Sequence, residues 1–336
     1  MNGPPGRQRR PRGVRRARGA VLVIVLVALA LIAVVAARFA QRIDELRTQT
    51  ASWRAHADQL LQAGNARTAA LYIAATRPLG PAGIGPGLVP DLWADGRTYA
   101  LSDGGRVQLQ DLRGLYPMNA PERTSLAALL RATGVGDSKA DAMVDVLEDY
   151  IDTDHLKRLN GAERGEYSAL GLPPPRNDWM LSLRELDRMP LWQDEPAARA
   201  MALRWGSLER RPVLNPNTAP LDLLATLLPG ARPEQLALLQ IRRSTVPFSN
   251  GEDAQRASGL PLADDRYVFH LGPELRITAW GEGAARAVQY NLRLLPAGRD
   301  APWLITDVQP VPRAESRDSP DRAAPFPLAF AAARKP

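Results

Sequence analysis

The densest group of side chains that could do chemistry lies mid-chain, in Asp149-Tyr150-Ile151-Asp152-Thr153-Asp154-His155 and then Asn160-Gly161-Ala162-Glu163-Arg164-Gly165-Glu166-Tyr167. Carboxylates and amides crowded into a short loop offer hard oxygen ligands, which suit Ca2+, an ion that takes about 6–8 oxygens at roughly 2.3–2.6 Å. Asp152, Asp154 and Glu163 are the first candidates, with Glu166 and Asn160 behind them. The spacing is not that of an EF-hand, because a Gly at the sixth loop position and a Glu at the twelfth do not both fall in place. A solvated acidic turn capping a helix is the competing reading of the same residues. Catalysis has less to stand on. The sequence holds neither a G-x-S-x-G elbow nor an H-E-x-x-H pair. It has no Cys and only His56, His155 and His270. The carboxylates of the acidic loop sit too close together to take separate acid and base roles. The expectation is a protein that is not an enzyme.

The elements around this loop are ordered by a membrane. Residues 20–37 are an unbroken apolar run of 18, the length of a membrane-spanning helix. Before it, Arg7, Arg9, Arg10, Arg12, Arg15, Arg16 and Arg18 stand with no acid among them, so the positive-inside rule leaves residues 1–19 in the cytoplasm and the rest outside it. A cleaved secretory signal is the alternative, although its apolar region would run only about 7–15 residues. The whole chain has a formal charge of +7, which by itself would suggest nucleic acid. The leader carries all of it: the seven arginines subtract from 43 basic residues to leave 36 against 36 acidic ones. Without Cys, stability outside the cytoplasm falls to packing or to a bound ion.

Beyond the membrane, Phe39, Ile43, Leu46, Trp53, Ala57, Leu60, Leu61, Ala69, Leu71 and Ile73 recur at helical spacing to about residue 76, with Gly64-Asn65 as a weak point. Residues 78–90 are a Pro- and Gly-rich loop. Runs at 97–101 and 106–112 around Ser102-Asp103-Gly104-Gly105 read as a hairpin. Residues 116–262 read as helical, and strands return at 266–271, 274–280, 287–295 and 303–306. Within the helical block a pattern repeats. Asn119-Ala120-Pro121 precedes Leu129-Leu130, and Asn217-Thr218-Ala219-Pro220 precedes Leu227-Leu228. Each is followed by a Gly-containing turn and a second amphipathic helix. Helix-hairpin-helix or SAM-like units of this kind can bind DNA phosphates through backbone N–H groups and nearby cations. The first copy carries Asp137, Asp141, Asp145, Glu148 and Asp149 in its second helix, which would repel a phosphate chain, while the second, with Arg232, Arg242 and Arg243, is more permissive. Packing modules are therefore the leading reading, and a membrane-anchored DNA-binding protein is the alternative.

Several motifs occur in one order: the Gly19-Ala20 junction, Asp111-Leu112-Arg113-Gly114, Asp152-x-Asp154 with Gly161-Ala162-Glu163 and Tyr167, Leu183-Arg184-Glu185-Leu186, and Leu214-Asn215-Pro216-Asn217-Thr218-Ala219. Together they resemble the general secretion pathway protein K family, the minor pseudopilins K of type II secretion systems, over residues 13 to 305. The resemblance implies an α+β fold, with a pilin-like N-terminal helix and an antiparallel sheet carrying a large all-α insertion. It divides the chain into a cleaved leader at 1–19, the helix at 20–76, a head at 77–115 and 263–312 and the insertion at 116–262, while the Pro- and Ala-rich composition of 313–336 reads as a disordered tail. It also implies calcium in the insertion, cleavage after Gly19 by the prepilin peptidase, methylation, and residence in the inner membrane with a periplasmic head. A place at the pseudopilus tip follows, beside minor pseudopilins I and J, possibly H, above the major pseudopilin, with no nucleic-acid partner. The fifth residue after the cut is Ile24, where most pilin-like subunits carry a Glu, so a tip position is expected. The tail from Arg313 has no counterpart in the family.

Overall fold

The computed structural model describes residues 17–262, 265–313 and 323–327. Residues 1–16 of the leader and most of the tail therefore lie outside the described residues, as do the side chains of Gly19 and Ala20. The chain divides into two compact units, 1–58 and 59–336. In the first, the described residues form only helix, part of α1 (Ala17–Thr76). Val21, Leu22, Val23, Ile24, Leu31, Ile32, Val35 and Phe39 are all exposed, Ile24 by 66%. An apolar surface on every side is what hydrocarbon solvates and water does not. By length and composition α1 is able to cross a membrane.

The second unit begins with the last part of α1. There the buried residues are Ala66, Ala69, Ala70, Leu71, Ile73 and Ala74, and the four alanines among them let the helix come close to a sheet. The approach is tight enough to demand glycine at two turns. A Cβ on Gly281 would lie 2.4 Å from Gln59 Cα, and one on Gly105 would lie 2.7 Å from the Gln62 carbonyl. Gln62 fastens both turns, donating to the Asp103 carbonyl at 2.8 Å and accepting from the Glu282 N–H at 2.8 Å. No break occurs at Gly64-Asn65. Asn65 donates to Asp103 at 2.8 Å, and this tertiary anchor outweighs the weak helix propensity of the pair.

The elements then run β1 (Gly83–Ile84), β2 (Leu92–Trp93), β3 (Asp95–Ala100) and β4 (Arg106–Asp111); β5 (Tyr116–Pro117), α2 (Arg123–Ala132), α3 (Asp137–Ile151), α4 (Arg164–Ala169), α5 (Pro196–Trp205) and β6 (Gly206–Ser207); and α6 (Leu221–Leu227), α7 (Pro233–Thr245) and α8 (Gly251–Ser258). The sheet resumes with β7 (Glu274–Trp280), β8 (Arg286–Leu294), β9 (Trp303–Pro312) and β10 (Ala324–Pro325). Its order is β10-β3-β4-β7-β8-β9. β4 and β7 are antiparallel neighbours, with Arg106 opposite Trp280 and Asp111 opposite Leu275, so the helical block enters and leaves through adjacent strands. One core, including Ile73, Tyr99, Leu109, Leu275, Ile277 and Leu292, lies between α1 and the sheet. A second, including Leu126, Leu130, Met143, Leu147, Tyr167 and Trp192, fills the helical block.

Three sequence expectations need correction. The block is not purely helical, because β5 and β6 pair in parallel inside it. Residues 266–271 are not a strand. Only Tyr267 bridges, to Leu214, since the polar backbone groups of this stretch are used by loops: Leu214 N–H donates to the Arg266 carbonyl at 2.8 Å and Leu271 N–H to the Gly80 carbonyl at 3.1 Å. The tail is not wholly disordered, because β10 adds to β3 in parallel and makes the sheet mixed.

Candidate functional site

The acidic loop begins where α3 ends and closes at α4. Asp149, in the last turn of α3, faces the loop with no exposed side-chain surface. Its room comes from Gly161, where a Cβ would fall 1.9 Å from Asp149 Oδ2. The neighbouring carboxylates are held largely by arginine. Arg158 Nη1 donates to Asp149 at 2.7 Å and to Asp152 Oδ2 at 2.6 Å, and Arg158 Nε pairs with Glu148 at 2.8 Å. Arg123 Nη2 takes Asp145 at 2.7 Å. Burial raises the Asp149 pKa, and Arg158 works in the opposite direction.

One side of the loop is left without donors. Both carboxylate oxygens of Glu163, Asp152 Oδ1 and the Tyr167 hydroxyl are buried with no hydrogen-bond partner. Burial raises the Glu163 pKa, and the fields of Asp149, Asp152 and Asp154 raise it further. A buried carboxylate facing other carboxylates, with nothing donating to it, is the electrostatic setting a cation relieves. Asp152 and Glu163 therefore fit a hard cation. Asp154 adds its field, while its Oδ1 accepts the Leu156 N–H at 2.8 Å. The other two expected ligands are turned elsewhere. Asn160 donates to Asp145 Oδ2 from both its backbone N–H, at 3.1 Å, and its side-chain Nδ2, at 3.4 Å. Glu166 accepts from Lys157 at 2.7 Å and from the Glu163 N–H at 3.0 Å, and these contacts, Lys157 foremost, hold its pKa down to about 2. As arranged, the described residues include no group of three or more His, Asp or Glu set to hold a metal ion.

The repeat noticed in the sequence has a physical counterpart. Asn119 Oδ1 accepts the Met180 N–H at 2.8 Å while its Nδ2 donates to the Met180 carbonyl at 3.0 Å. Asn217 does the same to Phe248, at 2.8 and 2.9 Å. Each Asn thus satisfies both backbone groups of one distant residue, just before the first helix of a pair, α2–α3 or α6–α7. Several arginines close to the two hairpins are engaged within the chain. Arg131 pairs with Asp137 at 2.5 Å and Asp141 at 3.0 Å. Arg243 is buried and donates to the Pro216 and Ala219 carbonyls at 2.5 and 2.7 Å. Arg242 is tied to the Val246 carbonyl.

A third constellation was not singled out as a site in the sequence. Asp111, at the end of β4, is fully buried. Its Oδ1 accepts the N–H groups of Arg113 at 3.1 Å and Gly272 at 3.2 Å, and its Oδ2 accepts Asn215 Nδ2 at 2.9 Å and Thr218 Oγ1 at 3.1 Å. Gln110 Nε2 adds a bond to the Thr218 carbonyl at 3.0 Å. Gly114 is required beside it, since a Cβ there would stand 2.5 Å from Thr218 Oγ1. The segments 111–114 and 214–219, a hundred residues apart, are therefore two halves of one polar joint between the sheet and the helical block.

The described residues thus combine an apolar helix of membrane-spanning length with an α+β unit whose sheet and helical block meet at this joint. Residues 105–202 match the family described as type II secretion system (T2SS), protein K. Comparison with curated proteins finds no match. Among solved structures, the chain is similar to one in the crystal structure of the GspK-GspI-GspJ complex from the enterotoxigenic Escherichia coli type 2 secretion system. That similarity has a TM-score of 0.47 and 16% identity, and covers 81% of this chain and 99% of that one.

Proposed function

We propose that this chain is a minor pseudopilin that stands at the tip of a type II secretion pseudopilus, joins minor pseudopilins I and J, and helps start assembly of the filament. The protein K domain at residues 105–202 carries the reading. The exposed apolar part of α1 supports a single-pass inner-membrane anchor with a periplasmic head. Ile24 supports the tip: a carboxylate at this place would pair with a neighbour's terminal amine and offset the cost of a charge within an apolar bundle, on the order of 2.5–3.5 kcal/mol, and an Ile neither needs nor makes that pair. Processing by the prepilin peptidase after Gly19 tests the assignment. N-terminal sequencing of the membrane protein should begin at Ala20, and Gly19→Val should leave only precursor, because a side chain at the cut blocks the peptidase. A normally processed Gly19→Val chain would count against a pseudopilin. A tagged chain co-expressed with I and J should retain both on purification.

The loop between α3 and α4 is proposed to hold Ca2+ through Asp152 and Glu163, with Asp154 beside them. An ion that binds only the folded state adds RT ln(1 + [L]/Kd), about 2.7 kcal/mol at a hundredfold excess over Kd. EGTA should lower the Tm of a protein beginning at Arg38, and Glu163→Gln should abolish most of the difference between the calcium and EGTA curves. Identical curves with and without chelator in the parent protein would leave the loop as a solvated acidic turn.

A further inference from the structure

The outer edge of β3 is covered by the chain itself. Ala324 lies opposite Tyr99 and Pro325 opposite Ala100, and the Phe326 N–H donates to the Ala100 carbonyl at 2.9 Å. A ladder of two residues is too short to persist on hydrogen bonds alone. What fixes it is Phe326, which is 8% exposed and meets the Tyr99 ring edge-on, centroids 6.2 Å apart and planes at 83°. Tyr99 is itself immobilised, with its hydroxyl accepting the Trp93 N–H at 2.8 Å. The segment is also shaped in advance. Ala324 and Phe326 each precede a proline, Pro325 and Pro327, and a residue before proline is biased toward extended backbone. Pro325 has no N–H to offer, which suits an outermost strand and blunts the new edge. A pre-extended segment, one aromatic side chain in a fixed apolar seat and main-chain bonds to a sheet edge are the parts of strand-addition recognition.

We propose that the outer edge of β3, with the seat beside Tyr99, is a strand-addition site for an extended Ala-Pro-Phe-Pro segment, that residues 324–327 fill it in cis, and that this filling bars a second copy of the chain from pairing at that edge. The test uses the whole chain in detergent micelles, in three forms: intact, ended after Arg313, and Phe326→Ala. The probe is a fluorescent peptide of residues 321–330, read by anisotropy. The shortened chain should bind it saturably, at least tenfold more tightly than the intact chain, and the peptide carrying Phe326→Ala should bind at least tenfold more weakly. The full-length Phe326→Ala chain, which keeps every other tail residue, should also bind the parent peptide more tightly than the intact chain does. Equal binding by all three forms, or none by any, overturns the site. Light scattering reads the second clause: the shortened chain should shift toward dimers that excess peptide disperses, and a shortened chain that binds peptide yet stays monomeric overturns the exclusion of a second copy.

Discussion

Asp111→Ala is expected to destabilise a protein beginning at Arg38 by about 3–5 kcal/mol, measured by urea unfolding. The carboxylate accepts from four donors on three separate segments. Alanine would leave buried N–H and O–H groups unpaired at about 1–3 kcal/mol each. Removing a buried charge offsets part of that loss. Burial pushes the Asp111 pKa up to about 6 even against its four donors, so the ionised carboxylate is itself a net cost in the folded state near neutral pH, and alanine removes that cost. The sign of the pH dependence follows. The folded state binds the Asp111 proton more tightly than the unfolded chain does, so this group's contribution is fully present below about pH 4 and is lost as pH rises to about 6. Asp111→Asn should remove that slope. It should still cost about 1–3 kcal/mol, because its amide would present a donor to donors. A parent and an Asn variant with parallel stability profiles between pH 4 and 6 would show that Asp111 does not titrate there. An Ala variant within about 1 kcal/mol of the parent would show that the joint does not hold the two parts together.

Much of this architecture is legible in the sequence, and what is missing is missing for identifiable reasons. The apolar run at 20–37, the hairpin turn at Ser102-Asp103-Gly104-Gly105 and the twin Asn motifs are local signals, and α1, β3–β4 and the Asn119 and Asn217 clamps stand where those signals lie. Asp111-Leu112-Arg113-Gly114 and Asn215-Pro216-Asn217-Thr218 are visible as motifs, yet nothing in their spacing says that they meet, because contact across a hundred residues is a property of topology. In the acidic loop the type of residue is legible but not its direction. Asn160 and Glu166 are ligand types that face Asp145 and Lys157, and Arg158 supplies from within the chain a charge that spacing alone would assign to an ion. β10 escapes detection because a two-residue strand set among prolines has the composition of a disordered tail, and only the seat beside Tyr99 distinguishes it.

Arg276→Ala is expected to cost about 3–5 kcal/mol, with a lower urea midpoint and no change in the order of elements. Arg276 lies on β7, 5% exposed, and points at the helical block rather than at solvent. Its Nε donates to Asn291 Oδ1 at 3.0 Å, its Nη2 to the Gly206 carbonyl at 3.1 Å and its Nη1 to the Leu203 carbonyl at 3.4 Å. The last two are carbonyls at the end of α5, where the helix dipole is negative and in-helix partners run out, so the guanidinium serves as a cap supplied by the sheet. The position beside it is equally constrained, since a Cβ on Gly206 would sit 2.4 Å from the Ala202 carbonyl. Burial lowers the Arg276 pKa to about 10, with Asp307 opposing, so the group stays charged at neutral pH and its desolvation cost is constant there. Alanine would leave three acceptors unpaired and open a cavity. Methionine would fill the space and remove the buried charge, so Arg276→Met should cost only about 1–3 kcal/mol. Arg276→Lys keeps the charge but has no planar fork for three divergent acceptors and should fall closer to alanine than to the parent. A cycle of Arg276→Ala with Asn291→Ala should give a coupling of about 0.5–3 kcal/mol. Additive losses in that cycle, or a lysine variant as stable as the parent, would mean that the guanidinium fork is not what ties α5 to the sheet.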